Sequence, residues 1–246
     1  MKYQLSADQA DFYETTFVPA LFGAWARRLI DTVRPLRGQT VLDVACGTGA
    51  VARVAADVVG PSGSVVGLDL NEAMLDVARR IRPDVRWQQG DACALPCADD
   101  SFDLVVSQAG LMFFEDRAAA LREMGRVAGP SGRVAVQVPG RLSHSPGYLA
   151  LGSALPDGYF AVGEPSVLRE LFAAAGLRID RFDTWMGATV LDSVDTFLAV
   201  ELLPVSDQIP PEDIERCRTA LRPFVDATGA VSAPIEVHLV VASPHI

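Results

Sequence analysis

The chain has 246 residues, 31 acidic against 21 basic side chains, a formal charge of −10, and half of its residues are hydrophobic. Such a field opposes nucleic-acid phosphates, which need Lys/Arg patches, and argues against a DNA or RNA substrate. No uninterrupted apolar run approaches the ~18 residues that span a bilayer. The opening stretch, Met1 to Asp8, lacks the charged and apolar regions of a signal peptide. The expectation is a cytoplasmic, single-domain protein with a cap, monomer or homodimer, without membrane attachment.

In chain order, Phe12, Tyr13, Phe17, Leu21, Phe22, Trp25 and Leu29 recur near helical spacing, with a break expected at Pro19. Val41, Leu42 and Val44 read as a buried strand, Gly47 and Gly49 as a tight turn, and Ala50 to Ala56 as a helix. Strand, glycine turn and helix open a nucleotide-binding α/β fold, and Gly47-x-Gly49-x-x-Ala52 fits the G-x-G-x-x-A form. Asp43 sharpens the reading. A carboxylate just inside the strand end repels the two phosphates of a dinucleotide and attracts an ammonium or sulfonium.

Ser64 to Leu68 is a second apolar strand, and Asp69 follows at the ~20-residue offset where an acid binds ribose hydroxyls. Asn71 reads as an N-cap and Glu72 to Arg82 as a helix stopped by Pro83. Val85 to Trp87 leads to Asp91, and Ser101 to Gln108 forms a fourth strand. Asp43, Asp69, Asp91 and Gln108 thus fall at the carboxyl ends of successive strands, where ligands sit in open α/β sheets. Gly60-Pro-Ser-Gly63 and Gly129-Pro-Ser-Gly132 are identical helix-to-strand turns. The remainder reads as a helix from Arg117 to Val127 and a strand from Arg133 to Val138. A Gly/Pro/Ser-rich connection from Arg141 to Gly163 precedes a helix from Glu164 to Ala175 and a strand from Leu177 to Trp185. Helices from Asp192 to Leu203 and Pro211 to Asp226, separated by Pro204 to Pro210, precede a last strand from Ile235 to Val241.

This ordered set closely resembles the class I S-adenosylmethionine (SAM) methyltransferases of small-molecule type, similar to the ubiquinone/menaquinone methyltransferase-like group. The resemblance is strong over about residues 40–140 and holds beyond them in element order. It implies an α/β, Rossmann-like, doubly wound seven-stranded sheet with the last strand antiparallel between strands five and six. It also implies an N-terminal helical lid (1–36), a SAM-binding core (37–140), and an insertion after strand five with the C-terminal strands (141–246). For the cofactor it implies Tyr13 near the methionine carboxylate, with Asp43, Ala45, Gly47, Thr48, Gly49 and Gln108 around the ligand. Asp69 is expected on the ribose, Leu70 and Met74 flanking the adenine, and Asp91 and Ala92 at its edge. Phe17, Met112, Phe113 and Tyr148 are expected to line the substrate pocket. Pro130-Ser-Gly132 departs from the usual Pro-Gly-Gly, which bears on turn geometry alone.

The expected activity is methyl transfer from SAM to a small, partly apolar molecule, leaving S-adenosylhomocysteine. His144, just past strand five, is the one candidate base, against its reading as a solvated loop histidine. Rival readings are a SAM-binding protein that does not methylate, as a cyclase or accessory partner, and an NAD-dependent oxidoreductase. Asp43, Asp91 and the lack of a Tyr-x-x-x-Lys pair, with Lys2 the one lysine, count against the last. Arginine-rich, lysine-poor composition points to a GC-rich bacterial host with specialised metabolism. Cys46, Cys93, Cys97 and Cys217 read as small apolar residues, and His144, His238 and His245 form no ligand pair, so no metal is expected.

Overall fold

The computed structural model describes residues 4–155, 158–203 and 209–244, so His245 lies outside the described residues, as do Lys2 and most of the Pro204 to Pro210 connection. The apolar runs form β1 (Thr40–Val44), β2 (Ser64–Asp69), β3 (Arg86–Gln89), β4 (Leu104–Gln108), β5 (Arg133–Pro139), β6 (Leu177–Leu191) and β7 (Val231–Pro244). They build one sheet in the order β3-β2-β1-β4-β5-β7-β6. The first five are parallel, and β7 runs antiparallel to both β5 and β6, the topology the resemblance implied.

Parallel strands covered on both faces need side chains that are apolar in both directions. Val41, Leu42 and Val44, and Leu104 to Val106, meet that need. On one face lie α2 (Gly23–Val33) and α3 (Ala50–Val59), which bury Leu29, Ile30, Val51 and Ala55 against Val41, Val65 and Leu239. On the other, α5 (Arg117–Ala128) and α7 (Pro165–Ala174) bury Leu121, Met124, Leu168 and Phe172 against Leu42, Val105 and Val136. The two Gly-Pro-Ser-Gly turns share one geometry. Gly60 and Gly129 take φ of +68° and +67°, and the N–H of Gly63 and of Gly132 closes each turn at 3.1 Å.

Pro19 does not break the N-terminal helix. α1 (Ala7–Phe12) runs through a π-helical stretch, Tyr13–Phe22, directly into α2. The proline ring clashes with the carbonyl four residues back in an α-helix, and the wider π winding moves that carbonyl aside. Residues 141–163 are not an open loop either. They wind into short helical turns at Leu142–His144, α6 (Pro146–Leu149) and Gly152–Ala154.

The last two strands are longer than the alternation predicts. β6 and β7 pair from Leu177↔Pro244 to Leu191↔Val231, with an irregularity between Ile179 and Arg181, while β5 stops at Pro139↔Val237. The ribbon therefore projects beyond the sheet. There α8 (Val194–Glu201) and α9 (Pro211–Leu221) join the π-helical stretch in a further core around Phe17, Tyr148, Tyr159, Phe197 and Ile235. No helix among the described residues is long and apolar enough to cross a membrane.

Candidate functional site

A cavity of about 260 Å³ opens at the carboxyl ends of β1, β2 and β4. Asp43, only 1% exposed, accepts the Ala52 N–H at 2.9 Å through Oδ2 and so caps the start of α3, while its Oδ1 is buried with no hydrogen-bond partner. Burial pushes its carboxyl up to about 8; the Ala52 N–H opposes the rise and the neighbouring Asp69 adds to it. Asp69 accepts from the Gly47 N–H at 2.7 Å and the Asn71 N–H at 2.8 Å. Burial also raises Asp69, against those two donors and Leu70. Asn71 is the N-cap of α4 (Glu72–Ile81), as expected.

The backbone bends sharply where β1 and β4 end. Ala45 and Ala109 hold φ of +57° and +54°, conformations that non-glycine residues rarely adopt and that gather at ligand sites. Both line the cavity. A Cβ on Gly110 would stand 2.7 Å from that of Ala45, so the two strand ends are packed to the limit.

One end of the cavity is lined by Asp69, Leu70, Met74, Asp91 and Ala92. Asp91 there accepts the Cys93 N–H at 2.9 Å. The other end is lined by Phe17, Phe22, Met112, Phe113, Tyr159 and Glu201. Tyr13 lies between them, its ring stacked on Phe22 with centroids 5.7 Å apart. Burial holds its hydroxyl well above the usual phenol range, reinforced by Asp69, Glu14, Glu201 and Asp43. Gln108 donates to the Phe22 carbonyl at 3.2 Å and keeps a buried, unpartnered Oε1; the Thr48 hydroxyl is likewise buried and unpartnered.

Of the expected cofactor residues, Tyr13, Asp43, Ala45, Gly47, Thr48, Asp69, Leu70, Met74, Asp91, Ala92 and Gln108 line this cavity, and so do Phe17, Met112 and Phe113. Three expected residues do not. Gly49 has φ of +86°, and a Cβ there would fall 2.2 Å from the Trp87 ring, so it makes room for that ring rather than for a ligand. Tyr148 is fully buried one layer back, stacked on Tyr159. His144 sits among the short turns after β5, its Nδ1 2.8 Å from Glu236 Oε2, because Glu236 also draws Arg141 to that spot. His238 is buried between the Thr184 hydroxyl at 2.8 Å and the Gly163 carbonyl at 2.9 Å.

Sequence reasoning missed Glu201. This carboxylate is 2% exposed, lines the cavity, and is reached by the hydroxyls of Tyr148, Tyr159 and Thr189. The available signal was a lone acid inside the apolar run Phe197-Leu-Ala-Val-Glu-Leu-Leu203.

Five acids line the cavity (Asp43, Asp69, Asp91, Glu115 and Glu201) and, among the described residues, no Arg, Lys or His. A lining of this kind favours a cation rich in hydrogen-bond donors, and the unpartnered oxygens of Asp43 and Gln108 await donors. No group of His, Cys, Asp and Glu among the described residues could hold a metal.

Residues 41–132 match the family described as "Methyltransferase domain". The demethylmenaquinone methyltransferase of Lactobacillus johnsonii is 37% identical over 118 residues, 46% of this chain and 48% of that protein; the chain therefore matches about half the length of such curated relatives. The YcgJ protein of a Bacillus aligns over 91% of this chain and all of its own, with a TM-score of 0.66 at 20% identity. The [4+2]-cyclase SpnF aligns over 90% of this chain and 80% of its own, with a TM-score of 0.60 at 21% identity. Strand order and comparisons agree: residues 41–132 match the methyltransferase domain, within a Rossmann-like fold that the chain shares with these solved structures.

Proposed function

We propose that the protein binds SAM in this cavity and transfers its methyl group to a small, partly apolar acceptor. The observation that carries the reading is the row of Asp43, Asp69 and Asp91 at three strand ends, in a cavity with no basic side chain among the described residues. A dinucleotide would set its phosphates against that row; SAM sets a sulfonium and an ammonium there.

When bound, SAM supplies a methyl group already activated for displacement. The residues of the chain then have holding and aligning roles. Asp69, at the end of β2, accepts from the ribose hydroxyls. Asp91 and Ala92 meet the adenine edge, with Leu70 and Met74 against its faces. Asp43 and the carbonyl of Gln108 face the cationic part, and Tyr13 closes the cavity over it. Phe17, Met112 and Phe113 surround the acceptor and keep water out. Alignment of this kind contributes up to ~7–11 kcal/mol to such displacements. His144, paired with Glu236 away from the cavity, has no part in this reading.

The test is calorimetric titration with S-adenosylhomocysteine and with NAD, followed by mass spectrometry of a reaction with SAM and 1,4-dihydroxynaphthalene, a reduced naphthoquinone. Binding of the first ligand alone and a product heavier by one methylene support the reading. Tight NAD binding, or no affinity for S-adenosylhomocysteine, sinks it. A product of unchanged mass formed only with bound cofactor selects the cyclase reading.

A further inference from the structure

The substrate end of the cavity holds a polar cluster unlike the rest of its lining. Tyr148 Oη donates to Glu201 Oε1, and Tyr159 Oη donates to Oε2 at 3.2 Å. The Thr189 hydroxyl lies 2.6 Å from Tyr148 Oη and 3.5 Å from Oε1. These groups come from four separate parts of the chain: α6, the segment before α7, β6 and α8. Among the described residues no arginine, lysine or histidine is hydrogen-bonded to the carboxylate, so none of them offsets its burial with an ion pair. Burying a carboxylate this way costs several kcal/mol. Glu201 lines the cavity, and its Oε2 carries one long hydrogen bond, where a carboxylate oxygen can accept a second donor.

We infer that Glu201 accepts a proton from a neutral, hydroxyl-bearing acceptor, a phenol or enol, held against Phe113 and Tyr159. The inference rests on the reading of the cavity as a SAM site. In the reaction the acceptor O–H breaks and its proton passes to Glu201 Oε2. The electron pair left on the acceptor forms the bond to the methyl carbon. The carbon–sulfur bond breaks with its pair on sulfur, and Glu201 later returns the proton to water. Electrostatics favour a hydroxyl over an ammonium acceptor: a second cation beside the sulfonium is repelled, whereas an oxyanion forming there is attracted. Burial raises the Glu201 carboxyl to about 7 against the three hydroxyl donors, so near neutrality it is poised to take and release a proton. The other titratable groups facing it are Tyr13, Tyr148 and Tyr159, all raised by burial and none titrating near pH 7.

The test uses the full chain saturated with S-adenosylhomocysteine and follows three naphthalene probes by calorimetry. These are 2-naphthol, 2-fluoronaphthalene (of similar size, without the donor) and 2-naphthylmethylamine, a cation at neutral pH. At pH 8 the naphthol should bind at least tenfold more tightly than the fluoro compound, as expected for a hydrogen bond to a charged acceptor. The gap should shrink below threefold at pH 5.5, where Glu201 is protonated, and in Glu201→Gln at either pH. The pH series needs only wild type and stands if the variant does not fold. Equal affinity of the two neutral probes at pH 8, no binding of either, a gap that survives in Glu201→Gln, or tighter binding of the amine each overturn the inference. Failure of S-adenosylhomocysteine itself to bind, measured first, overturns instead the SAM reading beneath it.

Discussion

The carboxylate of Asp69 and the N–H of Gly47 are joined by a hydrogen bond of 2.7 Å, tying the end of β2 to the turn after β1. The acid expected on the ribose therefore also fixes the glycine turn under the cofactor. In the proposed binding mode Asp69→Ala removes two ribose contacts to a charged acceptor, each worth ~1.5–3 kcal/mol. Affinity for S-adenosylhomocysteine should fall at least tenfold by calorimetry. An unchanged affinity would remove Asp69 from the site.

Binding should be linked to proton release through Asp43. Its carboxyl is raised from 3.8 to about 8, so near pH 7 the ligand-free protein holds a proton that a cationic ligand expels. Affinity should rise as pH increases toward 8. Titrations at pH 7 in buffers of different ionisation enthalpy should report that proton, and Asp43→Asn should abolish it. The same shift acts on stability. A raised acid favours the folded state fully below pH ~3.8 and loses that contribution between ~4 and 8, by up to about 1.4 kcal/mol per pH unit. Wild type with no protons released on binding would show that Asp43 is already ionised.

Glu236 should behave in the opposite sense. Burial raises its carboxyl, but hydrogen bonds from the side chain and N–H of Arg141 and from His144 outweigh that and hold it at about 2. A depressed acid stabilises above its unfolded value of ~4.5, and the contribution is lost as pH falls toward 2. Glu236→Gln should cost about 1–3 kcal/mol in urea unfolding at pH 7 and much less at pH 3. Equal cost at both pH values would assign the effect to packing.

The N-terminal helices form one wall of the cavity through Tyr13, Phe17 and Phe22. If they act as a lid, backbone hydrogen exchange over residues 7–33 should slow on adding S-adenosylhomocysteine. Full protection before ligand is added would make this wall a fixed part of the core.

The end of the cavity lined by the strand-end acids was legible because it is local. Asp43, Gly47 and Asp69 sit at fixed offsets within strand-turn-helix units, and β1 and β2 announce themselves by apolar runs that carry their acid at or next to the last position. The substrate end was not. Glu201 meets Tyr148 and Tyr159 across 53 and 42 positions, on short elements whose packing no periodicity encodes. His144 was misplaced for the same reason: loop position suggested the cavity, but Glu236, 92 positions away, holds its ring elsewhere. Pro19 misled because breaking rules describe α-helices, and the chain there winds more widely.

β6 carries a mechanical consequence. β6 starts in the sheet at Leu177, runs past Trp185 where β5 ends, and reaches Thr189 beside Glu201, paired with β7 except at the irregularity between Ile179 and Arg181. The roof around Glu201 is therefore tied to the sheet by a two-stranded strut that ends at Thr189. On the proposed reading, acceptors are gauged against a fixed ruler. Variation in acceptor size must be met by trimming side chains along that ruler or by yielding on the opposite wall, where the proline-bearing π turns lie.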